Sequence, residues 1–146
     1  MNYLLDTNVV SEWVKARPDP GVVAWLANVD EDRAFLSVIT LAELRHGIER
    51  LAHGARRDRL DDWLGGALAE RFEGRVLGID AGVADRWGRM VAQAQAAGKP
   101  AGPMDAFLAA TAERHGLTLV TRNDADFRHL GIPLVNPWMI PATGPR

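Results

Sequence analysis

The stretch Asn2–Glu12, NYLLDTNVVSE, decides how the rest of the chain is read. A short apolar run, Tyr3-Leu4-Leu5, stops at a carboxylate, Asp6. Two small polar residues, Thr7 and Asn8, follow before apolar side chains return. Val9, Val10, Trp13 and Val14 recur at helical spacing. The stretch therefore predicts a buried strand, an acid at its end, and a helix capped by Thr7 or Asn8. An acid in that place either caps the helix itself or furnishes a polar site, and the stretch alone leaves both open.

The same alternation repeats outward from this point. Arg17-Pro18-Asp19-Pro20-Gly21 breaks the first helix, and Val22, Trp25, Leu26 and Val29 mark a second. Ala34–Val38 reads as a second strand. Thr40–Leu51 reads as a helix with Leu41, Leu44, Ile48 and Leu51 on one stripe. After Gly54 comes a basic run, Arg56, Arg57 and Arg59. Leu60, Trp63, Leu64 and Leu68 then continue in helical register, loosened at Gly65-Gly66. Arg75–Ile79 predicts a third strand. Asp80 caps a long amphipathic helix that Gly98 closes. After the loop KPAGP (99–103), Met104–His115 is an alanine-rich helix followed by Gly116. Leu117–Thr121 is a fourth strand, Asp124–Leu130 a short helix and Leu134-Val135 a last strand. Short apolar runs alternating with amphipathic helices predict an α/β fold around a largely parallel sheet.

At 146 residues the chain is expected to form one domain, spanning 1–138, with a Pro/Gly-containing tail at 139–146. A net charge of −2 gives no global basic footprint, so nucleic-acid contact must rest on local patches. The absence of cysteine excludes a disulfide scaffold and a thiolate zinc site, and suits a cytoplasmic protein. The opening MNYLLDTN has neither the basic flank nor the apolar length of a signal peptide. No run approaches the ~18 apolar residues of a spanning helix, so no membrane partner is expected.

The informative acids are Asp6, Glu43, Asp105 and the pair Asp124 and Asp126. Each has a structural explanation of its own. Glu43 completes Thr40-x-x-Glu43, a capping box. With Gly102 as cap and Pro103 as first helical residue, Asp105 lies where an acid suits the helix dipole. Together they say more. In a parallel sheet all strands present their carboxyl ends on one edge, where sites form in open α/β folds. Asp6 and the Asp124 region follow strands directly, and Glu43 follows one within a helical turn. Asp105 shares a helix face with Leu108, Ala109 and Ala112, and Gly47 leaves room beside Glu43. Clustered carboxylates repel one another unless a cation relieves them. All-oxygen ligands suit Mg²⁺ or Mn²⁺. His46, His53, His115 and His129 show no ligand spacing. A metal so held activates water and binds phosphoryl oxygens, the chemistry of phosphodiester hydrolysis.

Three blocks carry a family resemblance. LLDTNVVSEW (4–13), SVITLAELRHGIERL (37–51) and MDAFLAATAERHGLTLVTRNDADF (104–127) resemble the PIN-domain ribonucleases, specifically the VapC/FitB-type toxins of type II toxin–antitoxin systems. NPW (136–138) resembles the tail of the FitB branch. The resemblance implies a three-layer α/β/α sandwich, Mg²⁺-dependent endoribonuclease activity, RNA as substrate, and a cognate antitoxin that blocks the site. It places the metal ligands on Asp6, Glu43 and Asp105. For the fourth position some relatives have Asp where this chain has Asn123. Asp124 is the expected catalytic acid there, with Asp126 or Asn123 as alternatives. Arg122 and Asn123 are the expected substrate-binding residues, with Lys15, Arg17, Arg45, Arg50 and the Arg56/Arg57/Arg59 run as further phosphate contacts. Trp25 and Trp87 are expected in the core. Trp13 and Trp63 are free to face a partner, and relatives lead one to expect a homodimer.

Three other readings compete. One is a related nuclease acting on DNA or in RNA processing. Another is a non-catalytic binding module, whose mark would be loss of Asp6, Glu43 or Asp105; all three are present. The last is an aspartyl-phosphate phosphatase with Asp6 as nucleophile. That chemistry calls for a second Asp two residues on, where this chain has Asn8.

Overall fold

Leu4 and Leu5 are neighbours on the first strand, yet they are buried in different cores. Successive side chains of a strand point to opposite faces, so a strand apolar at every position needs cover on both. That requirement sets the architecture of the computed structural model, which describes residues 1–140. Strands β1 (Tyr3–Leu5), β2 (Ala34–Ser37), β3 (Val76–Leu77), β4 (Thr118–Val120) and β5 (Leu134–Val135) form one sheet in the order β3-β2-β1-β4-β5. All four pairings are parallel. On one face Leu5, Ala34, Leu36 and Val120 meet helices α1 (Thr7–Val10), α2 (Pro20–Asn28) and α3 (Val38–Glu49). The segment of α4 (Ala55–Trp63), the π-turn Leu64–Leu68 and α5 (Ala69–Arg71) completes that layer through Leu68 and the adjoining Phe72. On the other face Leu4 and Leu119 meet Met90 of α6 (Ala81–Ala96), Leu108, Ala109 and Ala112 of α7 (Pro103–His115), and Phe127 of α8 (Asp124–Phe127). The fold is the expected three-layer α/β/α sandwich. The expected tail falls largely outside the described residues.

Local chemistry accounts for most boundaries. Asp80 Oδ1 accepts the Val83 N–H at 2.8 Å and opens α6. Gly116, at φ +66°, ends α7 in the left-handed region that only glycine enters without strain. The π-turn includes Gly65-Gly66, where the loosened register was expected.

Three expectations are corrected. The helix after β2 begins at Val38, because the Ser37 hydroxyl accepts the Ile39 N–H at 3.0 Å. Thr40 is therefore inside α3, and no capping box involves Glu43. Asp6, rather than Thr7 or Asn8, caps α1. Trp87 is only half-buried: its ring stacks on Phe107 at 4.9 Å and its Nε1 donates to the Pro103 carbonyl, clamping α6 to α7 at their rim. Trp25 is half-buried too, edge-on to Tyr3 and packed on the first core.

Candidate active site

From β1 the chain steps outward to β2 and β3, then returns to β4 and β5 on the other side. The order reverses between β1 and β4, and loops leaving the two strands' carboxyl ends diverge there and open a crevice. Asp6 follows β1 and Thr121 follows β4, one step past the register pair Leu5 and Val120. The Asp6 N–H donates to the Val120 carbonyl at 2.9 Å, so the ladder runs up to the acid itself.

Asp6 is 6% exposed, and both its carboxylate oxygens are held. Oδ1 accepts the Thr7 N–H at 2.7 Å, which caps α1. Oδ2 accepts the Thr121 hydroxyl at 2.8 Å. The Thr121 oxygen in turn accepts the Asn123 N–H at 3.0 Å. Asn8 Nδ2 stands 3.5 Å from both Asp6 Oδ2 and Thr121 Oγ1, and its Oδ1 accepts the Arg122 N–H at 3.2 Å. Burial pushes the Asp6 carboxyl above the ordinary carboxylate value. The bonds from Thr121 and Thr7 pull it back, and the charge of Glu43 pushes it up further.

Glu43 reaches the same edge from α3, where its Oε1 accepts the Thr7 hydroxyl at 2.7 Å. A Cβ on Gly47, one turn on, would meet nothing within 4 Å, so the space beside Glu43 is open. Asp105 enters from the first turn of α7, half-buried, above Leu108, Ala109 and Ala112 in the second core. Its carboxyl is raised first by burial and then by the charges of Asp6 and Asp126. Asp6, Glu43, Asp105 and Asp126 thus form one electrostatic neighbourhood.

The expected fourth acid, Asp124, is not brought to the others. Its Oδ2 pairs with Arg128 Nη2 at 2.8 Å and its Oδ1 accepts from Asn136 Nδ2 at 3.2 Å. The Arg128 bond holds its carboxyl below the ordinary value, and Asn136 adds to that. Asp126, on the same short helix, is the acid whose charge bears on Asp105. Arg122 and Asn123 lie exposed at the crevice mouth. The Arg122 guanidinium lies 5.4 Å from the Trp138 ring centroid, and its carbonyl accepts from Asn136. Lys15 is tied to Glu12 and Arg45 to Asp61. Sequence reading missed Thr121, Asn136 and the side-chain bonding of Thr7 and Asn8. The signal for Thr121 was a polar residue ending the apolar run Leu117–Val120.

As they stand, no three acidic or imidazole side chains among the described residues are close enough to hold one metal ion. The donor chemistry nevertheless fits a hard cation. The set is all oxygen, and two members are raised partly by their neighbours' charge. Among the described residues none of the four forms an ion pair, whereas Asp124 does. A divalent cation relieves this repulsion.

Comparison with known proteins agrees with the fold. The PIN domain family model matches residues 3–133. The chain is similar to a VapC ribonuclease of Sinorhizobium fredii, 39% identical over 135 residues, covering 92% of this chain and 96% of the relative. It is also similar to toxin FitB of Neisseria gonorrhoeae, 38% identical over 135 residues, covering 92% and 97%. The crystal structure of FitAcB from Neisseria gonorrhoeae superposes with a TM-score of 0.90 at 37% identity, over 94% of this chain and 99% of that one. An acid-lined crevice at the β1/β4 switch point, on a chain matched nearly end to end, makes this protein a member of the PIN domain family, in its VapC/FitB-like branch.

Proposed function

We propose that the chain is a metal-dependent endoribonuclease and the toxin of a toxin–antitoxin pair. The observation that carries this reading is the gathering of Asp6, Glu43, Asp105 and Asp126 at the switch point, without an ion-pair partner among the described residues. Asp6, Glu43 and Asp105 are the residues that would hold Mg²⁺ or Mn²⁺. When bound there, such a cation would supply a Lewis acid for the phosphoryl oxygens and offset negative charge at the scissile phosphate. The chain's own residues supply position. Thr7 and Thr121 fix both oxygens of Asp6. Thr7 also holds Glu43 Oε1, which leaves Oε2 to orient a water against the scissile phosphate. RNA is favoured over DNA by the ribonuclease named among the relatives. The toxin assignment rests on the likeness to FitB, whose solved structure is a complex with FitA, and with it goes the proposal that an antitoxin covers the crevice and that the chain forms a homodimer.

The test is cleavage of labelled single-stranded RNA and of DNA of the same sequence, with and without Mg²⁺. RNA is cleaved in Mg²⁺, DNA is spared, and EDTA stops the reaction. Equal cleavage of RNA by Asp6→Asn protein would defeat the proposal.

A further inference from the structure

A cleft of about 940 Å³ runs from the acidic crevice along α1, α3 and α4. Thr7 and Glu43 stand at one end, and Lys15, Arg56 and Arg59 line its walls. The arginine run divides here in a way its spacing did not reveal. Arg57 turns away, bonded to Glu49 at 3.1 Å and to the Leu51 carbonyl at 3.2 Å, and braces α4 on α3. Arg56 and Arg59 form no ion pair among the described residues, and both line the cleft. Lys15 is already tied to Glu12, so a chain of net charge −2 sets two arginines, unpaired among the described residues, against a single lining acid along one channel. The floor between them is apolar, with Leu44, Ile48 and Leu60, and Trp13 and Trp63 add aromatic surface.

We infer that this cleft carries the single-stranded RNA segment adjoining the scissile phosphate, with Arg56 and Arg59 on its phosphates. The inference rests on the ribonuclease reading and extends it to a substrate path. Cationic walls over an apolar and aromatic floor suit a strand whose bases are unpaired, because phosphates and base faces are then satisfied together. A duplex hides its bases and gains nothing from the floor. A protein segment is the competing occupant, and the uncompensated arginines favour the polyanion.

The test is fluorescence anisotropy of a labelled single-stranded oligoribonucleotide, in EDTA and on an Asp105→Asn background so that none is cut, across a salt series. Arg56→Gln/Arg59→Gln should lose roughly tenfold in affinity, and its plot of log affinity against log salt should be shallower by about 1.4, or about 0.7 for each phosphate no longer neutralised. Arg56→Lys/Arg59→Lys should keep the slope, which separates charge from folding. Arg89→Gln, on the outer face of α6, should change neither. Unchanged affinity and slope in the double glutamine variant, or an equal loss in Arg89→Gln, overturns the path and leaves the cleft to a protein segment. Wild-type cleavage of RNA in Mg²⁺ would then still stand. No cleavage and no binding by wild type brings down both readings.

Discussion

Replacing Thr121 by Val isolates the contact that makes a charged Asp6 tolerable. Thr121 is fully buried and donates to Asp6 Oδ2 at 2.8 Å. Valine has nearly the same shape, so no cavity opens and the change removes a hydrogen bond. The Asn123 N–H that the hydroxyl accepts belongs to an exposed residue and can turn to water. The cost is therefore that of one hydrogen bond to a buried carboxylate, about 2 kcal/mol. For a chain of 146 residues this lowers the melting temperature by about 6 °C. The penalty also depends on pH, with a definite sign. Thr121 favours the charged form of Asp6, whose carboxyl lies above its ordinary value of 3.8. Below that value the carboxyl is protonated in both states, and only a neutral hydrogen bond of about 1 kcal/mol is at stake. As pH rises through the raised value, the gap between wild type and variant widens, then levels off. Urea unfolding of both proteins in EDTA, at about pH 4 and about pH 8, measures it. An equal gap at both pH values would refute the claim that Thr121 acts on the charge of Asp6.

Two further outcomes follow from the same geometry. Asp6 and Asp105 are both raised, so the folded state binds more protons than the unfolded state between 3.8 and their folded values. The stability that these two carboxyls contribute to the metal-free protein is full below that window and is lost as pH rises through it, and saturating Mg²⁺ removes the loss; melting curves from about pH 4 upward, with and without the cation, check this. Asp126→Asn lowers RNA cleavage by about tenfold or more, while Asp124→Asn, whose side chain is already spent on Arg128 and Asn136, changes it by less than about threefold. Matched single-turnover assays compare the two, and the reverse order would return the fourth position to Asp124.

Much of this was legible because it is local. The unbroken apolar runs at Leu4-Leu5 and Leu117–Val120 announce strands covered on both faces, and both are. Asp80, Gly102-Pro103 and Gly116 mark helix ends through chemistry that acts within a few residues, and each holds. The misreadings are of another kind. Thr40-x-x-Glu43 has the form of a capping box, but Ser37 ends β2 with its hydroxyl already placed to cap, so the helix starts earlier. Asp124 and Asp126 are indistinguishable by spacing. What separates them is Arg128 and the Asn136 amide, the latter delivered by the chain after β5. Thr121 meets Asp6 only because the sheet places β4 beside β1, a contact between residues 115 apart. Acids could be counted from the sequence, whereas the hydroxyl and amide groups that hold them depend on topology.

The proposed chemistry depends on whether the acids at the β1/β4 edge hold a divalent cation. Calorimetric titration of Mn²⁺ into the purified protein, beside Asp105→Asn, tests it without reference to any substrate. Wild type should bind saturably, and the variant should lose at least about a hundredfold in affinity, the upper end of what losing even a supporting residue costs a metal site. Equal Mn²⁺ affinity in the two proteins, or no binding by wild type, would contradict it.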